Sequence, residues 1–356
     1  MDIYKLLIRS LLFRLPAETA QHAAELALGR RALWQAVAPL LRVSDASLRS
    51  DLCGIPLSNP VGLAAGFDKD CRMLGSLKAL GFGYLMCGTV TQMSRPGNPR
   101  PRLLRDVKRR SLLNAMGFPN SGLEPAAIRL ERARASTAGT PVGVSVSGVT
   151  VAEMVRCHRR LEPLVDLVEL NISSPNTEGL RAFHAAPTLA ELLSRINEAR
   201  AKPLMVKLPP YPAAEEASGD EAREGVLALA AACLAEGVDA VTVANSRPTT
   251  DHRLSTGFGG LSGKAVFEDM LRMVADVRSE VGDAMAVNAC GGIFTGRDAW
   301  QALKAGATTV QLYTSLVYRG PTVARRVNRE LLAIMEREGV ESLAALASGT
   351  SPQGGP

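Results

Sequence analysis

Two amides and two hydroxyls are packed into Asn171-Ile172-Ser173-Ser174-Pro175-Asn176, directly at the end of a run with β-forming character. Polar residues follow other such runs in the same way. Gly66, Asp68, Lys69 and Asp70 come after Val61–Ala65, Thr89 after Tyr84–Gly88, and Asn245 and Ser246 after Ala240–Ala244. Groups of these kinds hold a polar small molecule and move its protons. Lys207 is a different case. It closes the otherwise apolar run Leu204-Met205-Val206-Lys207-Leu208, where burying an ammonium without a counter-charge is costly, so an anionic group is expected beside it.

The elements that must position these residues repeat regularly. Eight short β-rich runs are expected at Val61–Ala65, Tyr84–Gly88, Val142–Val146, Leu167–Ile172, Leu204–Leu208, Ala240–Ala244, Ala286–Cys290 and Thr309–Tyr313. Amphipathic stretches lie between them, at Met73–Leu80, Leu189–Ala199, Glu221–Ala235, Val266–Val281 and Asp298–Ala305, and Gly81, Gly237, Gly282 and Gly306 provide C-terminal stops. Strict strand–helix alternation with eight strands points to an α/β fold, a (β/α)₈ TIM barrel. Residues 1–45 form a small N-terminal helical extension interrupted at Pro16 and Pro39, 46–347 the barrel, and 348–356 a disordered tail rich in Gly, Ser and Pro. The interval Thr91 to Pro141 is too long for an ordinary connection and is expected to run over the barrel mouth.

Barrels build their active sites at the C-terminal ends of the strands, where these polar residues fall together. Lys207 then has two readings: a Schiff-base amine of an aldolase-type lyase, which needs a depressed pKa, or a cation beside the N1–C2=O edge of a flavin. Gly259-Gly260-Leu261-Ser262-Gly263, expected to precede a helix, and Gly291-Gly292 offer bare backbone N–H groups. With Tyr313-Thr314 after the last strand they suggest a site for the phosphate of a mononucleotide.

Composition removes other classes. The net charge is +6, but Lys and Arg alternate with Asp and Glu, and aromatics are 4%, so no nucleic-acid partner is expected. Cys53, Cys71, Cys87, Cys157, Cys233 and Cys290 never fall at metal-binding spacing, and His22, His158, His184 and His252 form no HxxxH pattern, so no metal site is expected. No apolar run spans a bilayer and no signal peptide is seen. On a helical projection of Met1–Leu15, Ile3, Leu6, Leu7 and Leu11 share a face opposite Lys5 and Arg9. This fits a helix lying on a membrane surface or one packed on its own barrel.

The chain also resembles the quinone-dependent, membrane-associated (class 2) dihydroorotate dehydrogenases. The resemblance rests on Leu63-Ala64-Ala65-Gly66-Phe67-Asp68-Lys69-Asp70, Gly88-Thr89-Val90-Thr91, Pro96-Gly97-Asn98, Asn114 with Met116-Gly117-Phe118, Asn171 through Arg181 (NISSPNTEGLR), Gly260 through Gly263, and Val310-Gln311-Leu312-Tyr313. It implies oxidation of (S)-dihydroorotate to orotate in pyrimidine (UMP) biosynthesis, with FMN as cofactor. Ser174 is then the base that takes the C5 proton. Lys69 pairs with the substrate carboxylate, and Asn114, Met116, Gly117, Phe118, Asn171, Asn176, Asn245 and Ser246 surround the ring. The implied FMN contacts are Ala64, Ala65, Gly66, Thr89, Ser145, Asn171, Lys207, Ala244, Ser262, Gly263, Gly291, Gly292, Tyr313 and Thr314.

A membrane quinone is the implied acceptor, reached through the N-terminal helices by way of Gln21, His22 and Arg105. No iron–sulfur partner subunit is required, and the implied location is peripheral, on the cytoplasmic face of the inner membrane. The chain departs from the family pattern at Ser145, Gly148, Ala115, Ala244 and Ala289, and carries Gln21 where the family has a His, with His22 one position on. A diverged flavoenzyme acting on a related dihydropyrimidine-like ring and the Schiff-base lyase are the alternatives.

Overall fold

The computed structural model describes residues 4–174, 179–212 and 219–347. Eight parallel strands close into a barrel: β1 (Val61–Leu63), β2 (Tyr84–Val90), β3 (Val142–Val146), β4 (Leu167–Asn171), β5 (Leu204–Lys207), β6 (Ala240–Val243), β7 (Ala286–Cys290) and β8 (Thr309–Leu312). They follow one another round the ring, and β8 pairs with β1. These are the eight strands that the pattern of the sequence requires. Side chains alternate across each strand. Val168 and Leu170 join the large core beneath the helices, whereas Leu167 joins Tyr84, Met86 and Met205 inside the barrel. Gly62 makes room there, since a Cβ at that position would lie 2.3 Å from the Tyr84 ring.

A hairpin absent from the sequence-based expectations, Ser50–Leu52 paired with Ile55–Leu57, packs Leu52 and Leu57 onto this inner cluster. Its two strands of three residues each are too short for a periodicity argument.

Two expectations need correction. The interval 91–141 is not one open excursion, because Leu123–Thr137 is a barrel helix that buries Leu123, Ala126, Ala127 and Leu130, an apolar face that its Arg-rich outer side obscures. The remainder contributes Leu103–Asp106 and Ser111–Asn114 to a four-stranded antiparallel sheet with Phe258–Gly263 and Arg247–Thr250. Gly259–Gly263 lies wholly in a strand of this sheet and leads directly into a 3-10 turn (Lys264–Val266) and an α-helix from Phe267, so it precedes a helix as expected. Pro39 does not interrupt its helix either. It lies two residues before the end of α3 (Arg31–Leu41), so the i→i−4 hydrogen bond it removes falls in the last turn, where the helix ends.

Ahead of α3 come a π-helical turn (Tyr4–Ile8), α1 (Arg9–Leu12) and α2 (Ala17–Leu28), with Pro16 at the N-cap of α2. Tyr4 donates to the Val317 carbonyl at 2.7 Å, while Leu6, Leu7 and Leu11 are 51%, 68% and 64% exposed. The face carrying Leu6, Leu7 and Leu11 thus points away from the barrel, while Leu12 and Phe13 face it. The expected tail, 348–356, and Asn176 lie outside the described residues.

Candidate active site

Hydrogen bonds tie the strand ends into one polar arc. Asn171, the last residue of β4, donates from Nδ2 to Thr89 Oγ1 on β2 at 3.1 Å, and its Oδ1 accepts from the Ser173 amide and hydroxyl at 3.2 and 3.0 Å. Asn245, beyond β6, donates to Ser173 Oγ at 3.0 Å, and its own Oδ1 accepts from the Ser246 amide at 2.7 Å. Each amide is thus oriented by a neighbour before any ligand arrives. Ser174 is half-buried and faces the same cavity.

Lys207 is the floor of this cavity. It pairs in register with Asn171 of β4 on one side and Thr242 of β6 on the other, and its Nζ lies 3.9 Å from Cys290 Sγ. Burial opposes its charge, but Cys290 and the fully buried Glu169 more than offset that, so its pKa lies above the ordinary lysine value. Burial pushes the Cys290 thiol up as well. A Schiff-base lysine requires the opposite shift.

Opposite Lys207 the wall is a loop. Asp68 accepts from the Arg72 and Met73 amides at 2.8 and 2.7 Å and fixes the turn that carries Lys69; burial raises the Asp68 pKa to about 6. Asn114 donates to the Gly260 carbonyl at 3.2 Å across the mouth sheet. Phe118, beside it, holds φ at +55°, a left-handed conformation rare for an aromatic residue and of the kind found at binding sites. On the remaining side Gly292 has φ +68°, and a Cβ there would lie 2.7 Å from Phe267, so bare backbone faces the cavity. Ser262 Oγ and Thr314 Oγ1 are 3.0 Å apart, and the buried Ser315 hydroxyl has no hydrogen-bond partner among the described residues.

A second cavity of about 290 Å³ lies under α1 and α2, lined by apolar residues including Leu12, Phe13, Ala20, Trp34 and Leu316. Arg105 stands at its side, donating to the Leu15 and Leu12 carbonyls at 2.7 and 3.4 Å with its guanidinium 4.7 Å from the centre of the Phe13 ring. Gln21, Leu103, Leu112 and Tyr313 line both cavities.

A family model described as dihydroorotate dehydrogenase matches residues 47–335. The chain is 42% identical over 349 residues to the dihydroorotate dehydrogenase (quinone) of Thermus thermophilus, covering 94% of this chain and 98% of that one. The chain belongs to the dihydroorotate dehydrogenase family. The Thermobifida fusca dihydroorotate dehydrogenase (quinone) is 36% identical, over 96% of this chain and 95% of its own. A crystal structure of Eimeria tenella DHODH in complex with ferulenol superposes with a TM-score of 0.79 at 29% identity, covering 92% of this chain and 96% of that one. Dihydroorotate dehydrogenases are flavin-dependent oxidoreductases.

Most of the residues expected from the sequence converge on the first cavity: Lys69, Asn114, Met116, Gly117, Phe118, Asn171, Ser174, Asn245 and Ser246, and with them Ala64, Ala65, Gly66, Thr89, Lys207, Ala244, Ser262, Gly263, Gly291, Gly292, Tyr313 and Thr314. Ser145 does not. It is fully buried behind Thr89, its hydroxyl 3.1 Å from Thr89 Oγ1, because it points into the barrel one layer below the cavity. His22 does not either. Glu18 takes Arg102 at 2.9 Å and Arg100 at 3.1 Å, which sets the rotation of α2 so that Gln21 faces both cavities, while His22 is turned outward beside Glu25, with its side chain 71% exposed. Cys290, Gln311 and Ser315 also line the cavity, and Glu169 lies beneath it. Sequence reasoning passed over all four, although a carboxylate inside the apolar run Leu167-Val168-Glu169-Leu170 was a signal equal to that of Lys207.

Proposed function

We propose that this chain oxidises (S)-dihydroorotate to orotate with FMN as its flavin and a membrane quinone as its acceptor, a step of de novo pyrimidine biosynthesis. One observation carries the reading: a cavity lined by Lys69, Asn114, Asn171, Ser174 and Asn245 shares a wall with an apolar cavity that opens beneath exposed leucines.

Dihydroorotate is a ring with alternating N–H and C=O groups and one carboxylate. Lys69 takes the carboxylate, and the amides of Asn114, Asn171, Asn176 and Asn245, with Ser246, take the ring edge, since each amide offers donors and an acceptor. Ser174 removes the C5 proton. A serine hydroxyl is a weak base and needs a proton relay or a bound water, so exclusion of bulk solvent belongs to the mechanism. FMN held in this cavity would supply the two-electron acceptor for the hydride at C6. The fit of this chain to FMN rests on the bare backbone at Gly292, the unpartnered Ser315 hydroxyl and the Ser262–Thr314 pair for the phosphate, and on Lys207 as a cation for the ring.

Residues 1–45 are the membrane-associating extension and 46–347 the FMN-binding unit. Leu6, Leu7, Leu11, Leu26, Leu33 and Leu40 are exposed, and no helix among the described residues is long and apolar enough to cross a membrane. A peripheral position on the cytoplasmic face of the inner membrane, with no iron–sulfur partner subunit, fits these features.

The test is the visible spectrum of the purified protein without oxygen, titrated with dihydroorotate and with a panel of other dihydropyrimidines. Bleaching of a yellow protein by dihydroorotate, and by the others much more slowly, is expected. A colourless protein trapped on Lys207 by borohydride would overturn the reading.

A further inference from the structure

Glu169 is a buried titratable group that this mechanism does not use. It belongs to β4 and reaches past β5 to β6, where Thr242 donates to its Oε2 at 2.8 Å. Thr242 in turn accepts from Asn288 at 3.1 Å, and Asn288 Oδ1 accepts from Tyr84 and Thr309 at 2.8 and 2.9 Å. A polar layer therefore crosses the barrel where branched apolar side chains usually fill it.

The carboxylate that ends this layer lies under Lys207. Lys207 faces Asn171 in the β4 register and Thr242 in the β6 register, and Glu169 is two residues before Asn171 on the same side of β4. Its Oε1 has no hydrogen-bond partner among the described residues, and the residue has no exposed surface. A carboxylate held in such a place needs a cation. Lys207 stands one layer above it in the strand register, and Glu169 draws it toward the charged form.

We propose that Glu169 is the fixed counter-charge of Lys207 and, through it, a positioning residue that holds the reduction potential of the bound flavin down. This rests on the placement of Lys207 beside the flavin in the proposed function. A lone cation at that edge stabilises the negative charge that the ring gains on reduction; a carboxylate one layer below offsets part of that effect. Dihydroorotate then still reduces the flavin, and the quinone still takes the electrons away.

The test uses the FMN-loaded protein with Glu169→Gln, which keeps an oxygen for Thr242 and removes the charge. The midpoint potential of the flavin is expected to become more positive, and sulfite, an anion whose addition to the ring favours the same charge, to bind about tenfold more tightly or better. Reoxidation by a quinone analogue should slow while reduction by dihydroorotate does not. Glu169→Asp keeps the charge further from Lys207 and should fall between the parent and Glu169→Gln; it decides the matter by the same readouts if Glu169→Gln does not accumulate with flavin. An unmoved or more negative potential in the variant measured overturns the inference. A parent protein that takes up no flavin, or whose flavin dihydroorotate does not bleach, overturns the proposed function instead and this inference with it.

Discussion

The two cavities share four wall residues and differ in how they are built. At the barrel mouth every amide of the arc is fixed by a hydrogen bond from a neighbouring strand end, as with Asn171 on Thr89 and Asn245 on Ser173. Beneath α1 and α2 the walls are mostly alanine, leucine and aromatic side chains, and the guanidinium of Arg105 at the side donates to the carbonyls of Leu12 and Leu15. The first is preorganised for a rigid polar ring; the second holds a flexible apolar molecule by shape. In the proposed function the barrel cavity carries the proton and hydride chemistry, and the cavity under the extension takes the quinone that removes the electrons.

Ser174→Ala tests this division most severely. Loss of the base should slow anaerobic bleaching by dihydroorotate at least a hundredfold, within the usual range for general-base catalysis, with flavin content unchanged. Ser174→Cys should retain part of the rate. Parent-rate bleaching in Ser174→Ala would remove Ser174 from the mechanism. Arg105→Ala is the complementary change and should lower quinone-dependent turnover roughly tenfold, about 1.4 kcal/mol, through loss of the contacts that hold α1. Bleaching by dihydroorotate should stay at the parent rate; an equal loss in both half-reactions would erase the distinction between the cavities.

A smaller effect separates Gln21 from its neighbour. Since His22 faces outward and Gln21 lines both cavities, His22→Ala should change quinone turnover by less than about twofold, the scale of an exposed surface substitution. Gln21→Ala should change it by more. The reverse order in steady-state assays would show that α2 is rotated differently from the arrangement seen here.

The smallest expected effect concerns the Lys69 loop. The folded pKa of Asp68, about 6, lies above its ordinary value of 3.8, so the stability this raised pKa provides is fully present below about 3.8 and is lost as the pH rises through 6. Asp68→Asn cannot ionise. Relative to it, the parent melting temperature should therefore fall as the pH is raised from 4.5 to 7.5. A difference that stays constant across this range would contradict the burial of Asp68.

The fold was legible because each barrel strand is buried on both faces and reads as a short apolar run bounded by turn residues, and because Gly81, Gly237, Gly282 and Gly306 all take the positive φ that ends a helix or turn. Most of the cavity was legible through a positional rule, polar residues after strands, sharpened by the resemblance. What escaped notice has physical causes. The hairpin at 50–57 has too few residues for a period, and Leu123–Thr137 shows five basic or acidic side chains among its fifteen residues, which obscures its apolar face. Ser145 and Glu169 both lie in strands expected from the sequence, but their place one layer beneath the cavity depends on barrel register, which sequence spacing alone does not provide. The rotation of α2 depends on the Glu18 pair with Arg102, a contact across 84 residues.

The central claim is that one protein joins the two half-reactions through adjoining cavities, and a single anaerobic experiment measures both. Dihydroorotate is added to the purified yellow protein until the flavin bleaches, and a short-chain quinone analogue is then added without oxygen. The account predicts that the colour is lost and then returns with the quinone. Flavin that dihydroorotate leaves yellow, or that stays bleached in the presence of quinone, would contradict it.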